Sequence, residues 1–160
     1  MKSLIIYCSD YKNNTGRVSQ VFAEKIDCEL IKLKNVSDIH NIDTANYDII
    51  GFGSGVYKES LSPKLFRMVE KLNLIGKNVF VFSTSGVGMK FYNNSLVKLL
   101  KSKGAIIKGS FACKGSFTSK DFSNNKIFAL MEKLSQGHPN GKDFKEAEEF
   151  IVKLVDSLNR

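Results

Sequence analysis

Cysteine and histidine are scarce in this sequence, and each shortage excludes a class of site. The 160 residues include three cysteines, Cys8, Cys28 and Cys113, which are scattered and form no Cys-x-x-Cys pair. Neither a disulfide framework nor a zinc site is therefore indicated, and the cysteines are interpreted as reduced core residues. The two histidines, His40 and His138, offer few candidates for a histidine-based triad or metal centre. We expect no bound metal.

Long apolar runs are also missing. Nowhere does the chain contain the roughly 18 consecutive uncharged apolar residues that a membrane-spanning helix needs, and Met1-Lys2-Ser3 precedes only a short apolar run that lacks the form of a secretory signal. At 160 residues the chain has the length of one domain with a full core. We expect a soluble cytoplasmic protein, not stably inserted in a membrane, that folds as a single domain over residues 1–160.

Negative charge is in short supply, because 24 lysines and arginines face 16 acidic residues and give a net charge of +8. Such a balance can indicate a nucleic acid or an anionic membrane surface as a partner. The lysines are spread along the chain without a block of five, and no recognised nucleic-acid motif is present. We interpret the charge as compositional bias and expect no nucleic-acid partner.

Three common nucleotide-binding and catalytic motifs are absent. The chain has no Walker A sequence, which argues against a P-loop NTPase, and no G-x-S-x-G elbow of an α/β hydrolase. The run Gly51-Phe52-Gly53-Ser54-Gly55 has neither the spacing nor the position of a dinucleotide fingerprint. These enzyme classes are set aside.

What the sequence does contain is a regular alternation of apolar runs and helical patterns. The runs, each bounded by turn residues, are Leu4 to Cys8, Leu30 to Leu33, Tyr47 to Phe52, Asn78 to Phe82 and Ala105 to Ile107. Ile, Val and Phe at successive positions predict strands that are buried on both faces, which requires helices on both sides of a parallel sheet. The sequence therefore predicts a doubly wound α/β sandwich with five strands.

The loops after the first, third and fourth strands are predicted to form one site. In doubly wound sheets, ligands bind beyond the carboxyl ends of the strands, at the switch point. The loops concerned are Ser9 to Thr15, Ser54 to Ser62 and Thr84 to Tyr92. Glycines there let the backbone approach a flat ligand, and an aromatic residue in each of the last two loops can cover its faces, although glycine and serine are also ordinary loop residues.

The first of these loops has the composition of a phosphate site. Hydroxyls, side-chain amides and free backbone N–H groups gather in Ser9 to Thr15, directly before the helical pattern of Val18, Val21 and Phe22. The first turn of a helix has unpaired donors and the positive end of the dipole, so it attracts an anion. Ordinary helix capping explains one such residue but explains a run of them less well.

The order of these elements resembles the flavodoxin family. The resemblance rests on a strand ending in serine, a polar loop ending in Asn-Thr, a Gly/Ser loop after strand three and a Ser-Thr-Ser-Gly loop after strand four, and it covers the whole chain. It implies a three-layer flavodoxin-like sandwich with the strand order 2-1-3-4-5 and a bound flavin mononucleotide (FMN). The cofactor-binding residues that it implies are Ser9, Asp10, Lys12, Asn13, Asn14, Thr15, Ser54, Gly55, Val56, Tyr57, Thr84, Ser85, Gly86 and Phe91.

Within the resemblance, the first loop would hold the phosphate, the second and third would enclose the ring, and Tyr57 would stack on it. Asn13 stands where glycine is common, but asparagine tolerates the left-handed conformation. The glycine whose peptide turns toward the reduced ring falls on Val56 in an ungapped comparison and on Gly55 after a shift of one residue. Val56 there would cost the one-electron-reduced flavin a hydrogen bond worth about 1 kcal/mol.

The resemblance implies a carrier of single electrons between redox partner proteins. Because the flavin does the chemistry, no catalytic side chain is expected. The alternative is a two-electron FMN-dependent reductase acting on a quinone or a porphyrinogen-type substrate. The carrier is favoured because so small a chain leaves little room for a second substrate site. We expect a monomer or weak dimer. A receiver domain would need aspartates after strands one and three, where only Asp10 is found.

An extra segment between Cys113 and Gly141 departs from the family pattern. It contains Phe117, Phe122 and a predicted helix with Ile127, Leu130, Met131 and Leu134 on one stripe. We expect it to cover the sheet edge or pack on the last helix, or else to form a lid or docking surface beside the flavin. Related insertions in flavodoxin-like protoporphyrinogen oxidases support the reductase alternative by analogy alone.

Overall fold

A computed structural model describes residues 1–35 and 42–159, so His40 lies outside the described residues. Its strands are β1 (Ser3–Cys8), β2 (Cys28–Lys32), β3 (Ile49–Tyr57), β4 (Ser60–Leu61), β5 (Asn78–Ser85) and β6 (Ile106–Lys114). Five of them pair in parallel in the order β2-β1-β3-β5-β6, and the two-residue β4 pairs antiparallel with the end of β3. The predicted order 2-1-3-4-5 is confirmed once β4, which was not predicted, is left out of the count.

Helices cover both faces of this sheet. They are α1 (Asn14–Lys25), α2 (Pro63–Lys71), α3 (Asn94–Ser102), α4 (Lys126–Ser135) and α5 (Gly141–Leu158). Successive residues of a strand point to opposite faces, so Ile5 packs in a core with α1 and α5, whereas Leu4 and Ile6 pack in a core with α2 and α3. The predicted three-layer α/β sandwich is thereby confirmed. No helix in the described part of the chain is long and apolar enough to cross a membrane.

A group of phenylalanines fills the core on the α1 and α5 side. The ring of Phe22 on α1 meets those of Phe80 and Phe82 edge to face, with centroids 5.7 and 5.0 Å apart. The register partners of these two residues on β3 are Gly51 and Gly53. A Cβ atom at either glycine would collide with the partner's ring. The glycines of β3 therefore make room for the large rings of β5.

Strand β3 is longer than the sequence predicted. The expected strand ended at Phe52, but the parallel ladder continues until Gly55 pairs with Thr84 of β5. The ladder uses backbone groups that glycine also carries, so glycines in the run do not end it. As a result, Ser54, Gly55 and Val56 lie in a strand rather than in the predicted loop.

Candidate functional site

The loop between β1 and α1 turns through two left-handed residues. Lys12 and Asn13 have φ angles of 48° and 53°. The side chain of Asn13 lies over Gly16, where a Cβ atom would collide with it, and the N–H of Gly16 donates to Oγ of Ser9 over 3.1 Å. Asparagine accepts the left-handed conformation more readily than most residues. The chain thus enters α1 with a compact polar turn at its start.

Thr15 connects this turn to the end of β5. Its side chain is buried, and its Oγ1 lies 2.9 Å from Oγ1 of Thr84. Both residues face the same cavity of about 320 Å³ at the carboxyl edge of the sheet. The described residues lining this cavity are Tyr11, Asn14, Thr15, Gly55, Val56, Tyr57, Lys58, Glu59, Thr84, Ser85, Gly86, Val87, Tyr92, Gly115, Ser116, Phe117, Phe122, Asn125, Ile127, Phe128 and Met131. The three predicted loops and the extra segment therefore meet at one cavity.

The second predicted loop is a tight hairpin. Val56 and Tyr57 pair with Leu61 and Ser60, and the turn consists of Lys58 and Glu59, with φ angles of 47° and 64°. Two successive left-handed residues are what a two-residue type I′ hairpin requires. Gly55 and Val56, the two candidates for the turning peptide, are both members of β3 in this structure, and the turn toward a reduced flavin stays a prediction.

Ser54 does not line the cavity, and its side chain forms hydrogen bonds at the base of the hairpin. Its buried hydroxyl donates to the carbonyl of Gly55 over 2.6 Å and accepts from the N–H of Ser62 over 2.9 Å. The first bond stays within β3, whereas the second joins β3 to the residue that follows β4. We therefore assign Ser54 the role of holding the hairpin in place.

Tyr57 lines the cavity with its hydroxyl oriented by the first loop. The hydroxyl accepts a hydrogen bond of 3.2 Å from the N–H of Asp10, and burial raises the pKa of Tyr57. The carboxylate of Asp10 points instead to Lys64, whose ammonium lies 3.0 Å away and whose pKa that bond raises. Asp10 thus contributes its backbone to the site, while its side chain is held on α2.

The third loop presents Tyr92 to the cavity instead of the predicted Phe91. Tyr92 lines the cavity, whereas Phe91 is outside it, 53% exposed, and packs on Tyr92 with ring centroids 4.0 Å apart. The two residues belong to a single 3₁₀ turn, Lys90–Asn93, in which neighbouring side chains point in different directions. The adjacent tyrosine was the available signal for the residue that lines the cavity, and a part for Phe91 in holding a cofactor stays a prediction.

The extra segment builds an aromatic wall, a part of the site that the sequence analysis did not predict. Phe117 meets Phe122 and Phe128 edge to face, with centroids 5.8 and 6.5 Å apart, and Tyr11 meets Phe122 in the same manner at 5.3 Å. Phe117 also lies against Gly86 of the third loop, where a Cβ atom would be 2.5 Å from its ring. The segment therefore closes one side of the cavity.

Hydrogen bonds join this segment to the first loop. Lys12 Nζ donates to Oγ1 of Thr118 over 2.9 Å, and the N–H of Thr118 donates to the hydroxyl of Tyr11 over 3.0 Å. The Tyr11 hydroxyl in turn donates to Asp121, and the amide of Asn14 donates to the carbonyl of Ser116 over 2.8 Å. The predicted phosphate loop is thus also the anchor of the extra segment.

The predicted site residues fall into two groups. Those that line the cavity are Asn14, Thr15, Gly55, Val56, Tyr57, Thr84, Ser85 and Gly86. Those that do not line it are Ser9, Asp10, Lys12, Asn13, Ser54 and Phe91. Asp10 and Ser54 of the second group fix the position of Tyr57 and Gly55 in the first through hydrogen bonds, whereas Ser9 accepts from Gly16 at the start of α1.

Among residues 1–35 and 42–159, the structure contains no metal site, and its histidine belongs to a helix cap. His138 lies beside Asp143 at the start of α5, where the Asp143 carboxylate also accepts from the N–H of Asn140 over 2.8 Å in a capping box. The contact between His138 and Asp143 is therefore part of the N-terminal cap of α5. Among residues 1–35 and 42–159, no group of three or more metal-ligating side chains is present.

Comparison with known proteins gives one family, a relative of similar length and several structures with the same fold. The flavodoxin domain family matches residues 4–137. An uncharacterized protein of Methanocaldococcus jannaschii is 37% identical over 158 residues, covering 97% of this chain and 99% of its own. An archaeal flavodoxin structure has a TM-score of 0.66 at 12% identity over 100% of both chains. A Lactobacillus acidophilus flavoprotein in complex with FMN has a TM-score of 0.57 at 22% identity, covering 68% of this chain and 91% of its own. The chain belongs to the flavodoxin domain family.

Proposed function

We propose that the chain binds FMN in the 320 Å³ cavity and carries electrons one at a time between redox partner proteins. The observation that carries this proposal is the continuity of the cavity with the start of α1. Asn14 and Thr15, the first residues of α1, line the same cavity as the rings of Tyr57 and Tyr92. A helix start suits a phosphate and flat aromatic walls suit a flavin ring, so one ligand can use both.

The donors around the first loop fit a phosphate group. The Asn14 amide, the Thr15 hydroxyl and the N–H groups of these two residues lie at the start of α1, and Lys12, which does not line the cavity itself, has an ammonium group in the same loop. An ammonium has three protons, so the bond of Lys12 to Thr118 leaves others for an anion. Charge-assisted bonds of this kind are the strong ones. We assign the phosphate to this group of donors.

The remainder of the cavity fits the ring. Gly55 and Gly86 line the cavity beneath the aromatic side chains of Tyr57 and Phe117, which come so close that a Cβ atom at either glycine would collide with them. The FMN complex of the Lactobacillus acidophilus flavoprotein, a structural neighbour, supports the assignment by likeness of fold. When bound, FMN supplies the redox chemistry. The chain's own residues bind it, orient it and shield its faces.

The cavity walls favour a carrier. In the described part of the chain, the charged residues lining the cavity are Lys58 and Glu59, both in the exposed hairpin turn. Burial raises the pKa of Tyr57 and of Tyr92 further above neutral pH. Proton-transfer groups for a second substrate are therefore scarce. The three free thiols suit the reducing cytoplasm, in which we propose that the chain acts as a single domain, as a monomer or weak dimer.

One observation favours the alternative, a two-electron FMN-dependent reductase acting on a quinone or a porphyrinogen-type substrate. Phe117, Phe122 and Phe128 of the extra segment line the cavity, rather than only covering the sheet edge or packing on α5. An apolar aromatic wall beside the ring is suited to a flat organic substrate. The reductase is the second candidate for this reason.

Stepwise reduction distinguishes the two. FMN is first titrated into the purified chain, and quenching of its fluorescence measures binding. The complex is then reduced anaerobically in small steps while the visible spectrum is recorded. A long-wavelength band that rises with the first electron equivalent and falls with the second supports the carrier. Direct passage from the oxidised to the fully reduced spectrum supports the reductase, and failure to bind FMN rejects both.

A further inference from the structure

Helix α4 turns its apolar stripe outward. Ile127, Leu130 and Leu134 are 64%, 58% and 55% exposed, and their spacing of three and four residues places them on one face. The buried residue of α4 is Ser135, at its carboxyl end. A helix in a soluble domain usually buries such a stripe in the core. An exposed contiguous apolar surface marks an interaction site.

This surface begins at the candidate flavin site. Ile127 belongs to both the exposed stripe and the cavity wall, and Phe128 and Met131, on the same helix, line the cavity as well. Phe122, which is also in the wall, precedes α4 in the chain and is 38% exposed. A protein that covers the outer face of α4 is therefore brought within one side-chain layer of whatever occupies the cavity.

The charges around the stripe are positive. Lys126 and Lys133 are exposed at the two ends of α4. The acidic member of the helix, Glu132, is turned toward Ser119, whose hydroxyl and N–H donate to its carboxylate over 2.6 and 2.9 Å. These two bonds keep the pKa of Glu132 below its usual value. An acidic partner surface complements this rim, whereas a second copy of this chain, with the same net charge of +8, would place like charges together.

We propose that the exposed face of α4, formed by Ile127, Leu130 and Leu134 between Lys126 and Lys133, is the docking surface for an acidic redox protein. The identity of the partner as a redox protein rests on the proposed function. Docking here brings the partner's own redox centre to the aromatic wall that α4 shares with the cavity. The extra segment thus serves both to close the site and to receive the partner.

A chemical-shift map tests the proposal. The isotope-labelled, FMN-loaded full chain is titrated at low ionic strength with a plant-type [2Fe–2S] ferredoxin, a small acidic electron carrier, and in parallel with the basic cytochrome c. We expect ferredoxin to shift or broaden the amide signals of residues 126–134 and cytochrome c to leave them unchanged. If ferredoxin shifts the amide signals of other surface residues of the chain, or shifts none, the proposal is overturned.

Paired variants separate contact from general charge and hydrophobicity. Leu130→Ser combined with Leu134→Ser removes the centre of the stripe and is expected to weaken ferredoxin binding about tenfold. The matched control is Ile75→Ser, which removes a side chain that is 79% exposed in the loop between α2 and β5. Lys133→Glu is expected to weaken binding about threefold, and Lys101→Glu on α3, with the same change of net charge, to leave it within about 1.5-fold. Equal effects of variant and control contradict the proposal.

Two further measurements exclude other occupants. Vesicles of phosphatidylcholine with anionic phosphatidylserine are mixed with the chain, and sedimentation equilibrium is run without a partner. Binding of the vesicles through α4, or dimerisation that Leu130→Ser abolishes, would overturn the proposal in favour of a membrane or a second copy. The map is also recorded without flavin, so a failure to bind FMN counts against the proposed function while the docking surface is judged on its own signals.

Discussion

The ammonium group of Lys12 donates a hydrogen bond of 2.9 Å to the hydroxyl of Thr118, 106 residues further along the chain. One partner belongs to the predicted phosphate loop, and the other belongs to the segment that carries the aromatic wall. Tyr11 and Asn14 make parallel connections to the same segment. The position of the wall therefore depends on the conformation of the loop, and changes on one side are expected to be felt on the other.

Tyr11→Phe tests this connection. The change removes the hydroxyl that accepts from the N–H of Thr118 and donates to Asp121. We expect faster amide hydrogen exchange over residues 117–122 and a loss of about 1 kcal/mol in the free energy of unfolding. Tyr47→Phe is the control, because it removes the tyrosine hydroxyl that donates to Glu29 over 2.6 Å, in another part of the fold. Unchanged exchange at 117–122 in Tyr11→Phe would show that the wall is held by packing alone.

Thr15→Ala is expected to weaken FMN binding about tenfold, because the hydroxyl at the start of α1 is one of the proposed phosphate donors. Fluorescence quenching of FMN measures the Kd. Ser19→Ala is the matched control, since that buried hydroxyl lies on the same helix but donates to the carbonyl of Thr15, over 2.9 Å. Removing Thr15 Oγ1 also leaves Thr84 without its partner, so urea unfolding of both variants is measured alongside. Equal Kd values for the two variants would remove Thr15 from the phosphate site.

Lys58→Gly is expected to stabilise the chain by up to about 1 kcal/mol. Lys58 has a φ angle of 47° in the hairpin turn, a conformation that costs an L-residue energy and glycine very little. The matched control is Lys145→Gly, an exposed lysine inside α5, which should destabilise by about 1 kcal/mol. Urea unfolding measures both. Destabilisation by Lys58→Gly would mean that the lysine side chain contributes more than its backbone conformation costs.

Much of the fold was predictable because strands that are buried on both faces have apolar residues at successive positions of the sequence. Runs such as Leu4 to Cys8 and Asn78 to Phe82 carry apolar side chains at nearly every position, which only a strand between two helical layers requires. The carboxyl half of β3 was missed since glycine and serine there resemble a loop. A glycine stands at position 53 of the strand because the ring of Phe82 on the neighbouring strand occupies the place of a Cβ atom. This reason becomes apparent only when the pairing of the two strands is known.

The site was predictable to the extent that it depends on strand ends. Asn14, Thr15, Tyr57 and Gly86 line the cavity as the topology implies, although their part in holding a cofactor stays a prediction. The choice between Phe91 and Tyr92 depends on the rotation of one 3₁₀ turn, which no periodicity reports. The aromatic wall depends on the path of the extra segment across the site, for which the sequence offered two alternatives.

The cysteines are expected to resist modification in the folded protein. Burial is the main cause that raises the pKa of Cys28 and of Cys113 to about 12, and it also raises the pKa of Cys8. Near pH 8 a thiol with such a pKa is ionised to only about one part in ten thousand, and the thiolate is the reactive form. Reaction with a disulfide reagent should be slow, should quicken as the pH rises toward the pKa, and should reach all three thiols in concentrated guanidinium. Fast reaction of one thiol at neutral pH would contradict its assigned environment.

The last prediction concerns the close contact between Gly53 of β3 and the ring of Phe82 on β5. Gly53→Ala places a methyl group where the ring of Phe82 lies, and relief requires β3 and β5 to separate or the ring to leave its rotamer, at a cost of about 2 kcal/mol or more. Phe82→Leu alone loses buried contacts, yet it removes the ring that the methyl group meets. The double variant should therefore be more stable than the sum of the two single changes predicts, by at least about 1 kcal/mol in a double-mutant cycle from urea unfolding. Gly141→Ala, where a Cβ atom meets nothing within 4 Å, is the control and should be close to neutral. Strict additivity in the cycle would mean that the collision is absorbed elsewhere in the sheet, and that the glycine is not what admits the ring.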